Sequence, residues 1–163
     1  MFISQQDRFS GTTTAAGVTT GDAITATAIS VNVMDLRQST SLALADEAIN
    51  EHDMWWTVLW DTAAAAAGAA TVTTTLESDS AVGLGASPVV HFTTPADPKA
   101  TLIAGFVQVQ TQLPSGARQL YKRFLGVRYT VATGPLTAGS ALSWLSFDVP
   151  RIIAYPIAFT IDV

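Results

Sequence analysis

The chain contains no cysteine, which excludes disulfides and thiolate metal sites and leaves nothing that points to an oxidising compartment. Charge is also scarce. Asp, Glu, Lys and Arg make up 13% of the residues, about half the share of roughly 25% usual in soluble domains. With hydrophobic residues at 48%, the surface has to be built from Thr, Ser, Gln and Ala. Protein interfaces are depleted in Lys, Glu and Asp, so an exterior this poor in charge points to a covering partner. Eight basic residues against thirteen acidic ones give a net charge of -5. That balance repels phosphate backbones and anionic lipid, so neither nucleic acid nor membrane is an expected partner. No run approaches 18 strongly apolar residues. The opening MFISQQDRFSG lacks the charged-then-apolar pattern of a secretion signal, because Asp7 and Arg8 interrupt it.

Catalytic signatures are missing as well. The two histidines, His52 and His91, are accompanied by neither a G-x-S-x-G elbow nor an H-E-x-x-H pair. The expectation is therefore no enzyme and no catalytic residues, although paired carboxylates are arranged in space and their absence cannot be read from spacing. DEAINEHD (Asp46 to Asp53) gathers acids and a histidine, but it has neither the glycine turn nor the alternate spacing of a calcium loop. It reads as a solvated loop, with no metal and no cofactor expected.

What the sequence does contain is short runs of Val, Thr, Ile and aromatics separated by Gly, Pro, Ser and Asp, the pattern of strands bounded by turns. About eight such strands, with little helical periodicity, predict an all-β jelly-roll β-sandwich. At 163 residues one domain is expected, covering residues 22–163 behind an extended N-terminal arm of residues 1–21. DAITATAISVNVMDL (Asp22 to Leu36) keeps Ile24, Ala26 and Ala28 in one phase and then shifts to Ile29, Val31 and Val33, which predicts a bulge or bend. HDMWWTVLWDT packs three tryptophans into six positions. Strand alternation puts Met54, Trp56, Val58 and Trp60 on a core face and Trp55, Thr57, Leu59 and Asp61 on the other; a helical reading also gathers the tryptophans, but Thr57 and Val58 oppose it.

The alanine-rich stretch Ala63 to Ala70 is expected to be a loop holding one helical turn, being too short for an independent helix. Val72, Thr74 and Leu76 share a phase in the next strand. SPVVHFT (Ser87 to Thr93) predicts an edge strand, given the flanking Pro88 and Pro95. TLIAGFVQVQT places Ile103, Val107 and Val109 on one side. YKRFLGVRYTV and SALSWLSFDV read as a hairpin turning through ATGPLTAG, with Leu125, Val127, Tyr129 and Val131 facing inward opposite Leu145, Phe147 and Val149. The tail RIIAYPIAFTIDV alternates as an edge strand, with Pro156 off its apolar face.

GDAITATAISVNVMDL, TVTTTLESD and above all RFLGVRYTVATGPLTAGSALSWL (Arg123 to Leu145) together resemble the capsid cement, or stabilisation, proteins of short-tailed bacteriophages over roughly Gly21 to Leu145. Each motif alone is modest in specificity; their joint order carries the likeness. The resemblance implies a jelly-roll homodimer that is assembled in the host cytoplasm and sits on the exterior of the virion capsid, bridging subunits of the major capsid protein. A carbohydrate- or receptor-binding jelly roll on a virion is the alternative, with Trp55 or Trp144 as an aromatic platform.

Candidate contact residues follow. Trp55 and Leu59 lie off the core face and need a cover. Arg118, Lys122, Arg123 and Arg128 crowd into eleven positions, either as a solvated strand end or as a contact for acidic coat loops. The arm, with Phe9, has no core-forming pattern; it is either mobile or adds to a neighbour's sheet edge. Pro156 marks the edge strand of the tail.

Overall fold

The computed structural model describes residues 8–14, 19–36, 54–113 and 121–147. Arg118, Pro156, the acidic stretch 46–53 and the tail therefore lie outside the described residues. The described residues form thirteen strands and no helix: β1 (Arg8–Ser10), β2 (Thr12–Thr13), β3 (Thr19–Thr20), β4 (Asp22–Ala23), β5 (Ala28–Ile29), β6 (Met34–Asp35), β7 (Trp55–Ala65), β8 (Thr71–Asp79), β9 (Val89–Thr93), β10 (Asp97–Pro98), β11 (Val107–Gln112), β12 (Phe124–Ala132) and β13 (Ala138–Ser146). One sheet runs β1-β13-β7-β11, with β4 also on β13. The other runs β10-β8-β12-β5, with β6 on β12 and β9 on β8. Every pairing is antiparallel.

Three pairs of short strands are collinear. β1 and β4 follow one another along β13, β5 and β6 along β12, and β9 and β10 along β8. Setting aside the separate β2-β3 ribbon, the strands fill eight positions, and the chain passes from one sheet to the other at nearly every connection. This is the wrapping of a jelly-roll sandwich. The core between the sheets contains Trp56, Val58 and Trp60 from β7, Val72 and Leu76 from β8, and Leu125, Val127 and Tyr129 from β12. These are the inward residues that alternation picked out.

The wrapping corrects the hairpin reading. β12 and β13 are not partners: β12 pairs with β8, and β13 pairs with β7. Residues 133–137 cross between the sheets through Thr133 and Gly134, both with positive φ, held by Leu136 N–H to Thr25 O and Thr137 N–H to Ala65 O. Tyr129 and Leu145 therefore enter the core from opposite sheets and do not lie side by side. Sequence proximity and a Gly-rich turn look the same in either case, because alternation reports a face and not a neighbour.

The wrapping also corrects the phase shift read in Asp22 to Leu36. β4 lies on β13 while β5 and β6 lie on β12, so the segment changes sheets; the expected change of inward phase does not follow, because the buried residues Ile24, Ser30 and Leu36 share one parity and Val31 is exposed. Two side-chain assignments fail at strand ends. Ile103 precedes β11 in a turn and is exposed, and Phe147 follows β13 and is exposed. Val149 lies outside the described residues.

The alanine stretch is also corrected. Ala63, Ala64 and Ala65 continue β7 as strand, with Ala65 opposite Ala138. β13 approaches closely at Ala64: a methyl group built on Gly139 would lie 3.0 Å from the Trp60 ring and 3.3 Å from the Ala64 Cα. Ala64 thus reports close strand contact, while residues 66–70 form the expected loop without a helical turn.

Candidate interaction surface

The N-terminal arm is tied to its own subunit over residues 8–13 and 19–20. Arg8 and Ser10 pair with β13, and Phe9 is fully buried in the core. The Tyr129 hydroxyl donates to Ser10 Oγ across the sandwich at 2.9 Å, and burial raises the Tyr129 pKa. Gly11 N–H donates to Asp22 Oδ2 and Gly21 N–H to Asp61 Oδ2, clamping the base of the threonine ribbon β2-β3. Phe9 is therefore a core residue and not an interface residue, which sequence patterning missed because β1 is only three residues long.

On the first sheet, Trp55 and Leu59 are half-buried, while Thr57 between them is fully buried. Leu59 sits between Leu142 and Val107 in register. Trp144 is only 4% exposed, which removes it as an aromatic platform for a sugar ring. Among the described residues, neither Trp144 Nε1 nor Thr57 Oγ1 has a hydrogen-bond partner.

The basic run is not a set of free charges. Lys122 Nζ donates to Ser87 O and Oγ. Arg123 makes a two-pronged ion pair with Asp35, 2.7 Å at its closest, and lies over the Phe124 ring. The hydrogen bond and charge of Asp35 raise the Arg123 pKa against a smaller opposing effect of burial. Arg128 pairs with the buried Glu77 at 2.9 Å and also donates to Leu84 O. With Arg8 bonded to Gly11 O and Lys99 to Ala66 O, every described Lys and Arg has a partner inside the subunit.

Those contacts hold loop 80–87 onto the outer face of the second sheet. Asp79, fully buried, accepts N–H groups from Ser80, Ala86 and Ser87. Burial alone would raise its pKa, but these donors favour the charged carboxylate and the net shift is downward. Leu84 adopts φ +46° and is fully buried against Gly126, where an added methyl group would lie 2.8 Å from Leu84 Cδ1. Val82 in the same loop is left exposed. ESDSAVGLGAS gives no warning of this structure beyond an acid followed by glycines.

β9 is an edge strand as its prolines predict: it pairs with β8 alone among the described strands. A register shift between Leu76 and Glu77 leaves His91 unpaired in the ladder, and its Nε2 lies 2.7 Å from Ser78 Oγ with its ring 4.5 Å from Tyr121. Ser78 is fully buried and also accepts the Lys122 N–H, so this Ser–His contact locks one strand to the next and presents no accessible nucleophile. Val89, Val90 and Phe92 are exposed beside it; the Phe92 ring meets Trp56 edge-on at 5.4 Å. Among the described residues, no group of three His, Asp or Glu is placed to hold a metal ion.

The sequence matches the family model of Bbp16 over residues 18–144. The chain belongs to the Bbp16 family, a family of phage proteins. No curated protein matches it significantly. The Bbp16 match begins just before β3 and ends within β13, so it reaches all eight strand positions and leaves β1, β2 and the tail beyond it.

Proposed function

We propose that this Bbp16 protein is a capsid cement: a non-catalytic homodimer on the exterior of the phage head that bridges subunits of the major capsid protein. One observation carries the reading beyond family membership. The described cations are all engaged within the subunit, while the large apolar side chains of Val89 and Val90, adjacent in β9, are exposed. Monomeric soluble proteins rarely leave contiguous apolar surface uncovered, so such residues support a protein-facing exterior.

The work of a cement is thermodynamic. Binding the assembled shell in preference to free coat subunits stabilises the shell by mass action. A two-fold dimer presents its contact twice, and the second docking event then becomes intramolecular. The test is to purify the particles and quantify this polypeptide against the coat subunit. A fixed stoichiometry, release under mild denaturation and lower shell stability after release are expected. Intact particles that lack the polypeptide and lose no stability would overturn the reading.

A further inference from the structure

The five residues of β9 hold three of the seven large hydrophobic side chains that are exposed among the described residues, Val89, Val90 and Phe92. β8 occupies one side of β9, and no described strand pairs with the other. In an extended strand, N–H and C=O groups point alternately to the two sides, so the free side offers a row of donors and acceptors ready to template another strand. Natural edges are usually blunted by charge, especially lysine. Here no Asp, Glu, Lys or Arg occurs from Ser80 through Ala96. Pro88 and Pro95 bracket the segment and limit an added strand to the residues between them.

We propose that the free edge of β9 is a docking strand that accepts an extended, uncharged segment of a coat subunit by β-strand addition. The coat subunit as donor rests on the cement reading; the mode of contact rests on the edge itself. Charge complementarity sets the partner's chemistry, because a charged segment would lose its hydration against Val89, Val90 and Phe92 and find, among the described residues of Ser80 to Ala96, no charge to replace it. Main-chain bonds supply affinity, and Val89 and Val90, consecutive and so on opposite faces of the strand, favour apolar residues at neighbouring positions of the partner. The irregularity at His91 favours a different chain over a second copy. Two-fold self-pairing would set two distorted strands against each other, whereas a regular segment from another protein meets only one. Another sheet edge, β11, presents Gln110 and Gln112 to solvent and lacks this apolar character.

The experiment uses full-length protein and heads stripped of it, with rebinding measured by co-sedimentation and backbone amide exchange followed in the free and bound states. Val90→Lys places an inserted charge on an already exposed side chain, and Val31→Lys does the same at an exposed site away from β9. Expected are a loss of affinity of at least tenfold for Val90→Lys, near wild-type binding for Val31→Lys, slower exchange across residues 89–93 on the shell, and an affinity that changes less than about twofold between low and high salt. Unchanged exchange of the core strands in free Val90→Lys checks that the fold is intact. Tight binding that Val90→Lys leaves untouched, with no protection of 89–93, would overturn the edge and leave the cement reading standing. Failure of the wild-type protein to bind stripped heads would overturn both. Protection of 89–93 that grows with concentration in the free protein would assign the edge to a second copy and overturn the coat segment.

Discussion

Strands β13 and β9 belong to the same sandwich and reverse the usual relation between polarity and burial. β13 reads AGSALSWLS, with three serines, and is buried at eight of its nine residues. β9 reads VVHFT and is fully buried at none. The difference lies in neighbours. β13 has β7 on one side and β1 with β4 on the other, whereas β9 has β8 alone among the described strands. A buried serine is tolerable only with a partner, and Ser143 accepts the Trp56 indole N–H at 3.0 Å while Ser140 donates to Asp61. An exposed valine needs no partner to be tolerated, so a cluster of them at an open edge is the more informative of the two features.

The sharpest way to break the comparison is on the β13 side, at its partner strand. Trp60→Ala empties a fully buried position and removes the N–H donor to Gln108, whose amide also bonds Thr74 and Asp97 of the opposite sheet. A loss of about 3–5 kcal/mol is expected in denaturant unfolding. Gly126→Ala is next. Its methyl group would displace the buried Leu84, and overpacking of this kind costs about 1–3 kcal/mol. Faster proteolysis within loop 80–87 should accompany that loss, which separates a displaced loop from a general weakening.

Asp79→Asn addresses the same loop through its charge. The Asp79 pKa is below the usual carboxylate value, so its stabilisation is fully present above about pH 4, the unfolded value, and disappears as pH falls through the lower folded value. Amides of Ser80, Ala86 and Ser87 should exchange faster in Asp79→Asn at neutral pH. Wild type should approach the mutant as the solution is acidified.

The sequence disclosed faces much better than neighbours. Alternation picked out Met54, Trp56, Val58 and Trp60, and the same rule found Leu125, Val127 and Tyr129, because burial imposes a period of two wherever a strand has one core face. It failed where long-range wrapping decides the outcome. Nothing local distinguishes a hairpin turn from the crossover at residues 133–137, and nothing in the alanines of 63–65 announces that Gly139 of β13 presses against Ala64. The prolines around β9 did reveal an edge, because a missing donor is a local property. The partners of Lys122, Arg123 and Arg128 were illegible, since Ser87, Asp35 and Glu77 are distant in sequence.

His91 tests how firmly the edge strand is attached. Burial holds its pKa below the usual value of 6.5, and the neutral ring takes part in the bond with Ser78 Oγ. Between that usual value and the lower folded one the unfolded chain binds more protons, so stability should decline as pH falls through this window and level off below it. Tyr121, whose hydroxyl pKa burial pushes up to about 12, stays neutral throughout. His91→Gln should remove this part of the pH dependence, as read from unfolding midpoints between pH 7 and pH 5. A midpoint profile identical to wild type would mean that the imidazole does not sense the fold.

The smallest effect belongs to the exposed edge itself. Val89→Thr and Val90→Thr keep the β-branched shape that suits a strand and exchange a methyl group that is already in water for a hydroxyl. Surface replacements of this kind change stability by no more than about 0.5 kcal/mol, against several for Trp60→Ala. If these valines served the fold, the pair of substitutions would lower the unfolding midpoint clearly, and the contrast between β13 and β9 would collapse into two degrees of the same packing. If they serve a partner, the isolated protein stays unchanged while binding to stripped heads weakens, so unfolding and co-sedimentation measured on the same two variants separate the cases.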